Sequence, residues 1–326
     1  MKRFIGISVT LVGIALLVAA IHHLSPPLTT KVEWTSMGTL AALTLRGDAS
    51  NRDAVREKAQ AAYTLVESQL SAWNPNSELC RLSRAGGTNW ISRVSATVRP
   101  CYDAALRLYE QSNQAFNPFI GKTLRELGVS RGGFYADFDL GAIAKGFAVD
   151  LAAAAVERTN NVPDLLIDLG GNIRVVGSGT WRTGVRNPFA KDSFACTVTL
   201  TNGESAATSG NYERFIERDG MRLSHILDGR TGQPTHGIAG VTVITPRTLG
   251  AMGADGLSTT LFILGPTNGA AFLARHNPAA QALWIPDTPE RPRLLVTPNL
   301  APRLENVRWP MEVVRTDSDG KPTRPD

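Results

Sequence analysis

The sequence predicts an α+β fold of mixed, largely antiparallel sheets with helices packed against them. Three observations carry this. Stretches of β-branched and apolar residues return on themselves across glycine turns, as in DLLIDLGGNIRVVG. Apolar residues at helical spacing are confined to a few longer stretches. Strands and helices do not alternate regularly, which argues against a doubly wound sheet.

The chain opens with Lys2 and Arg3, an apolar run from Phe4 to Ile21, and then HHLSPP. A charged n-region before an apolar h-region is the pattern of a secretory signal. Val18 and Ala20 suit cleavage after Ala20. The run also approaches the ~17–25 residues that span a bilayer, so it equally suits an uncleaved anchor. In both cases the positive end stays inside and the body is exported, to the periplasm, held at the inner membrane if the leader remains. No cysteine closely follows the run and no twin arginine precedes it, so the expectation is an unlipidated protein that crosses unfolded. The division expected is a signal peptide or anchor over 1–24, a linker over 25–32 marked by Pro26-Pro27, a folded body over 33–314 and a disordered tail over 315–326.

In the body, Glu33 to Leu45 reads as a strand pair. Asp53 to Ala72 reads as a helix, with Ala54, Val55, Ala59, Ala62, Leu65, Val66 and Leu70 near helical spacing. Asn74-Pro75 breaks it, and Asn76 or Ser77 is placed to cap a short turn that follows. Val98 to Asn113 is a second amphipathic helix, and Asn117-Pro118 opens a loop. From Asp137 a short strand or turn leads into an Ala-rich helix; Asp164 to Gly177 is a strand, a Gly-Gly turn and a returning strand. Short strands continue as a meander through TWRTGVRNP and FACTVTLTNGESAATSGNYERFIERDG. IAGVTVITP is a strand, GAMGADGLSTTLFILG carries a helix, Thr267 to Arg275 forms another that stops at Asn277-Pro278, and QALWIP is a further strand.

Hydrophobic residues at 43% and charged residues at 19% supply an ordinary globular core. A net charge of +5 without basic blocks interleaved with aromatics gives no nucleic-acid footprint. It leaves room for a locally positive cleft that favours an anionic ligand. Cys80, Cys101 and Cys196 are too few for a disulfide framework and read as buried small hydrophobes, although one pair could bond outside the cell.

Four stretches bear chemistry. Asp255 and Thr259 stand at i and i+4, on one helix face, where a carboxylate and a hydroxyl could hold a hard cation; the same residues could be a cap and an interior threonine. In DLGAIAKG, Gly141, Gly146 and Lys145 sit where a helix begins, suited to a phosphate or to a glycine-eased junction. IDLGGN and AATSGNYERF offer exposed amides, or plain hairpin turns. In SHILDGRTGQP, His225 could take a proton from a hydroxyl nucleophile, with Asp228 to orient it; equally it is a loop histidine.

In their order these pieces resemble the FAD:protein FMN transferases, the ApbE family. The carriers are MGT (Met37 to Thr39), LSAWNPNSEL, FNPFIG, DLGAIAKGFAVD, IDLGGNIRVVG, GVRNP, ATSGNYERF, SHILDGRTGQP and ADGLSTTLFILG. They span about Glu33 to Pro286. The resemblance implies a flavin-binding cleft, FAD as substrate and Mg2+ at its diphosphate. It implies transfer of FMN to a threonine or serine hydroxyl with release of AMP. Carried over by position, Asp255, Thr259 and the carbonyl of Ala144 are metal ligands and His225 is the catalytic base. Met37, Ser71, Trp73, Glu78, Lys145, Gly171, Ser209 and Asp228 fall in the flavin- and nucleotide-binding walls. The implied partner is an acceptor with an exported FMN-binding domain, a membrane electron-transfer subunit.

Four positions depart from the family pattern. Gly229 stands where proline is usual in the histidine loop, Asn117 and Phe119 replace the usual aspartate and threonine, and Ser83 stands where asparagine is common. The competing readings are an FAD pyrophosphatase, a flavin carrier without chemistry, and a structural envelope protein.

Overall fold

A computed structural model describes residues 29–47, 50–85, 90–127, 136–159, 164–212, 215–218 and 221–316. The expected leader and the tail beyond 316 lie outside the described residues. In chain order the elements begin with β1 (Thr29–Ser36), β2 (Thr39–Arg46), α1 (Arg52–Leu70), α2 (Glu78–Ala85), α3 (Arg99–Gln111), α4 (Gly121–Glu126) and α5 (Ala144–Glu157). There follow β3 (Asp164–Leu169), β4 (Asn172–Val176), β5 (Trp181–Arg186), β6 (Phe194–Leu200), β7 (Ser205–Gly210), β8 (Phe215–Arg218) and β9 (Met221–Ser224). Then come β10 (Leu227–Asp228), β11 (Gln233–Pro234), β12 (Ile238–Thr245), α6 (Gly250–His276), β13 (Gln281–Pro286), β14 (Leu294–Val296), β15 (Leu304–Glu305) and β16 (Met311–Val313).

Nine strands form one sheet in the order β1-β2-β3-β4-β7-β12-β13-β14-β16, antiparallel throughout except for β14 beside β16. A smaller sheet, β15-β6-β5, lies apart from it. The expected α+β class is therefore what is observed. Strand parity explains the layers, because alternate side chains point to opposite faces. Leu165, Ile167 and Leu169 of β3 share a face with Val241 and Val243 of β12, and this face joins the core formed with α1, α3, α5 and α6. Val175, Ala206, Ile244, Leu283 and Ile285 point the other way, onto Trp181, Val185, Val198 and Leu200 of the small sheet.

The long elements stand where the sequence puts them. α1 ends at Leu70, and the Ser77 hydroxyl accepts the Cys80 N–H at 3.0 Å, capping α2. α6 holds both expected helices, since Gly265 leaves helical geometry at φ 72°, ψ 176° and Pro266 follows. Two expectations fail. β1 begins at Thr29, inside the expected linker, because Thr29 to Val32 pair with Leu43 to Arg46 of β2. The meander is interrupted as well. β5 and β6 pair with each other in the second sheet, and β7 returns to the first.

All three cysteines are free and buried. Burial pushes the Cys196 thiol up to about 12 and raises Cys101 further, with the Asp255 carboxylate as the second cause. These thiols stay protonated at neutral pH.

Candidate active site

The site is built where α5 and α6 meet. Gly146, in the first turn of α5, has so little room that an added Cβ would lie 2.2 Å from the Ala251 carbonyl oxygen and 2.8 Å from Cβ of Asp255. Only glycine allows this approach. Its N–H donates to Oδ2 of Asp255 at 2.9 Å. Asp255 is thus a buried carboxylate held across the junction rather than a helix cap, since α6 begins five residues earlier. Asp150, one turn along α5 from Gly146, accepts the N–H groups of Ala251 and Met252 at 2.8 and 2.9 Å and pairs with Arg174 of β4. It satisfies the first turn of α6 from a neighbouring helix, which fixes Asp255 one turn further on.

On the same face of α6, the Thr259 hydroxyl lies 3.2 Å from Oγ of Ser209 on β7, and Ser209 also meets Oγ of Ser258 at 2.8 Å. Asp255 and Thr259 stand one helical turn apart within α6. Lys145 brings its ammonium 3.7 Å from Oδ1 of Asp255 and donates to the Gly141 carbonyl at 3.2 Å.

Ala144 is the first residue of α5, two before Gly146. The Gly146 N–H is one of the first-turn donors that have no partner within the helix, and it is directed to Asp255. Among the described residues no group of three or more His, Cys, Asp or Glu side chains is placed to hold a metal ion. A cation here has one carboxylate and hydroxyls to bind, an all-oxygen set of the kind magnesium takes with water and phosphate completing it.

The glycine turns surround this junction. Met37 and Gly38 form the β1–β2 tip with φ of 48° and 69°, and Gly170 and Gly171 form the β3–β4 tip with φ of 59° and 84°. Both are two-residue hairpin loops in left-handed conformation, the geometry that matches strand twist. Met37 holds it without being glycine, a strained position of the sort found at ligand sites. The tips touch: the Gly170 N–H donates to the Leu40 carbonyl at 2.8 Å, and a Cβ at Gly170 would lie 2.5 Å from Oγ1 of Thr39. Ile173 pairs with Ala206, and that register carried on puts Gly171 at the Ser209 end of β7. Met37, Gly171, Ser209, Lys145, Asp255 and Thr259 are therefore gathered at one end of the sheet.

Of the remaining expected wall residues, Ser71 and Trp73 lie on a loop, Glu78 begins α2 and Asp228 ends β10. Oγ of Ser71 accepts the N–H groups of Trp73 and Asn74 at 3.2 Å, shaping the loop that leaves Trp73 43% exposed. Glu78 accepts the Ser95 N–H at 2.8 Å. Burial first, and Glu78 next, raise the Tyr102 hydroxyl pKa. Tyr102 stacks on Phe138 at 5.3 Å, and Phe119 meets Phe138 edge-on at 5.0 Å. This aromatic wall escaped the sequence reading.

The His225 loop docks on the loop between α3 and α4. The Gly229 N–H donates to the Ala115 carbonyl at 3.0 Å, and the Asp139 N–H donates to the Pro118 carbonyl at 2.7 Å, so the docking continues to the start of α5. Asp228 is held within its own turn. Its Oδ1 accepts from the Arg230 N–H and Nε at 3.0 and 2.8 Å, and its Oδ2 from Nη2 at 2.6 Å. These hydrogen bonds hold its carboxyl below the usual range, and Asp228 braces its own turn.

The fold is shared with solved structures. A flavin transferase ApbE from Vibrio cholerae superposes with a TM-score of 0.70 over 85% of this chain and 100% of its own, at 22% identity. An apbe protein from Thermotoga maritima gives 0.68 over 85% and 99%. The sequence then fixes the membership: the ApbE family model matches residues 37–134 and 133–284, and this chain belongs to the ApbE family. A Treponema pallidum protein named FAD:protein FMN transferase is 30% identical over 278 residues, 68% of this chain and 75% of that protein. One of the same name from Rhodobacter capsulatus is 37% identical over 172 residues, 52% of this chain and 31% of its own length.

Proposed function

We propose that this chain transfers the FMN half of FAD to a threonine or serine hydroxyl of an acceptor protein and releases AMP. The observation that carries the proposal is the oxygen set of Asp255 and Thr259 on α6 beside the Lys145 ammonium, at one end of the sheet among glycine turns. Relatives named FAD:protein FMN transferase support the same reading.

Asp255, Thr259 and the carbonyl of Ala144 are the residues that would hold Mg2+. When bound, magnesium supplies positive charge that offsets the repulsion between a phosphoanhydride and an oxygen nucleophile. Lys145 adds a fixed ammonium to the same place. The acceptor hydroxyl gives its proton to the His225 imidazole, and its oxygen forms a bond to the FMN phosphorus. The bond from that phosphorus to the bridging oxygen breaks, and its electron pair leaves with AMP. General base catalysis of this kind contributes about 10²–10⁴-fold. Trp73 and Phe119, both exposed, offer flat apolar surface for the flavin or adenine rings.

The apolar leader supports an exported, periplasmic site of action, at the inner membrane if it stays uncleaved. The acceptor class is then an exported FMN-binding domain of a membrane electron-transfer subunit.

Intact-mass analysis tests this after incubation of the protein with FAD, Mg2+ and such an acceptor domain. An acceptor heavier by one FMN, with AMP released, is the expected result. Free FMN and AMP with an unmodified acceptor would make the chain a pyrophosphatase, and intact bound FAD would make it a carrier.

A further inference from the structure

Two departures from the family pattern, Asn117 and Gly229, meet in space although 112 residues separate them. The side-chain amide of Asn117 uses both ends. Oδ1 accepts the Phe119 N–H at 2.8 Å and closes its own turn, while Nδ2 donates to the Gly229 carbonyl at 3.2 Å. From the other side, the Gly229 N–H donates to the Ala115 carbonyl at 3.0 Å. The approach is so close that a Cβ at 229 would fall 2.2 Å from Cβ of Asn117, 2.5 Å from the Gln114 carbonyl oxygen and 2.9 Å from that of Ala115. Two of these three atoms are backbone, so no side-chain rotation would relieve the contact.

The receiving loop is itself unusual. Asn113 and Gln114 both have left-handed φ, 51° and 66°, and the Gln114 N–H returns to the Tyr109 carbonyl at 2.8 Å. Two successive non-glycine residues there are held against their preference. The outcome is that the Gln114 and Ala115 carbonyls face Gly229.

Each residue is suited to its partner by chemistry. An aspartate at 117 could close the Phe119 turn but has no hydrogen to donate, and its carboxylate would face the Gly229 carbonyl. A proline at 229 has no N–H for Ala115 and carries a Cβ that does not fit.

We infer that Asn117 and Gly229 are a matched pair that clamps the His225 loop onto the α3–α4 loop and so positions the imidazole for the acceptor hydroxyl. The positioning half rests on the function proposed above; the clamp itself does not. His225 lies four residues before Gly229. A loop released at 229 therefore moves the base, and misplacement by about 1 Å can cost on the order of 10²-fold in rate.

The test uses the whole protein and two variants, Asn117→Asp and Gly229→Ala. Amide hydrogen exchange over residues 224–235 reads the clamp, and flavin transfer to an acceptor domain reads the base. Both variants are expected to exchange faster across 229–232. Turnover at saturating FAD should fall by on the order of 10²-fold with the KM for FAD unchanged, and the thermal midpoint of Asn117→Asp should stay at the wild-type value. Unchanged exchange in Asn117→Asp overturns the clamp. Faster exchange with undiminished turnover overturns the positioning role. A wild-type protein that transfers no flavin refutes the function above, while exchange still judges the clamp.

Discussion

The backbone N–H of Gly146 donates to Oδ2 of Asp255 at 2.9 Å, joining the start of α5 to the second turn of α6. One carboxylate oxygen thereby serves the fold, while Oδ1 faces the Lys145 ammonium at 3.7 Å. The two oxygens of Asp255 have different duties, and substitutions can separate them.

Asp255→Asn keeps an acceptor for Gly146 and loses the charge. Its thermal midpoint should stay near that of the wild type, while Mn2+ binding, followed by electron paramagnetic resonance, and flavin transfer should both disappear. Asp255→Ala also strands the Gly146 N–H, a further loss of about 1–3 kcal/mol that urea denaturation would register. Full activity in either variant would remove Asp255 from the metal site.

Gly146→Ala probes the same junction sterically. The added methyl has no space against Ala251 and Asp255, so the helices must separate, at about 1–3 kcal/mol. A lower urea midpoint together with weaker Mn2+ binding is expected; an unchanged midpoint would mean that the junction is looser than its geometry implies.

Asp150→Ala removes the acceptor for Ala251 and Met252 and leaves the Arg174 guanidinium, only 10% exposed, without its carboxylate. Breaking a buried pair in this way costs about 3–5 kcal/mol. Chemical denaturation should show a loss of that order, larger than for any alanine substitution at an exposed carboxylate.

His225→Ala should bind FAD with wild-type affinity, measured by quenching of flavin fluorescence, and lose transfer by about 10²–10⁴-fold. Undiminished flavinylation would refute its role as base.

Asp168 gives a pH signature. Burial raises its carboxyl pKa, against the opposing hydrogen bond from the Gly171 N–H. The folded state therefore holds this proton more tightly than the unfolded chain. Between the ordinary carboxylate value and the raised one, stability falls as pH rises. Asp168→Asn keeps the Gly171 bond and removes the titration, so its thermal midpoint should exceed that of the wild type at neutral pH and converge with it in acid. Parallel curves would sink the assignment.

Much of this was legible in the sequence, for identifiable reasons. α1, α3 and both halves of α6 repeat apolar residues over several turns, and β3–β4 is marked by its Gly-Gly tip. β14, β15 and β16 are only two or three residues long, too short to show a period. Asp255 and Thr259 could be paired from spacing within one helix. The bond from Asp255 to Gly146 spans 109 residues, and the cap from Asp150 to Ala251 spans 101. No local pattern encodes either. The bonds from Arg230 to Asp228 are made within one turn, and spacing alone does not announce them.

Thr208 and Ser209 are adjacent, yet the first bonds Thr242 on the outer face of the sheet and the second reaches Thr259 beneath it. β7 can thus accept many changes of residue but none of length. A single insertion ahead of Ser209 would exchange the two hydroxyls, turning one outward and detaching α6 from its neighbour, with every remaining atom of the centre still encoded.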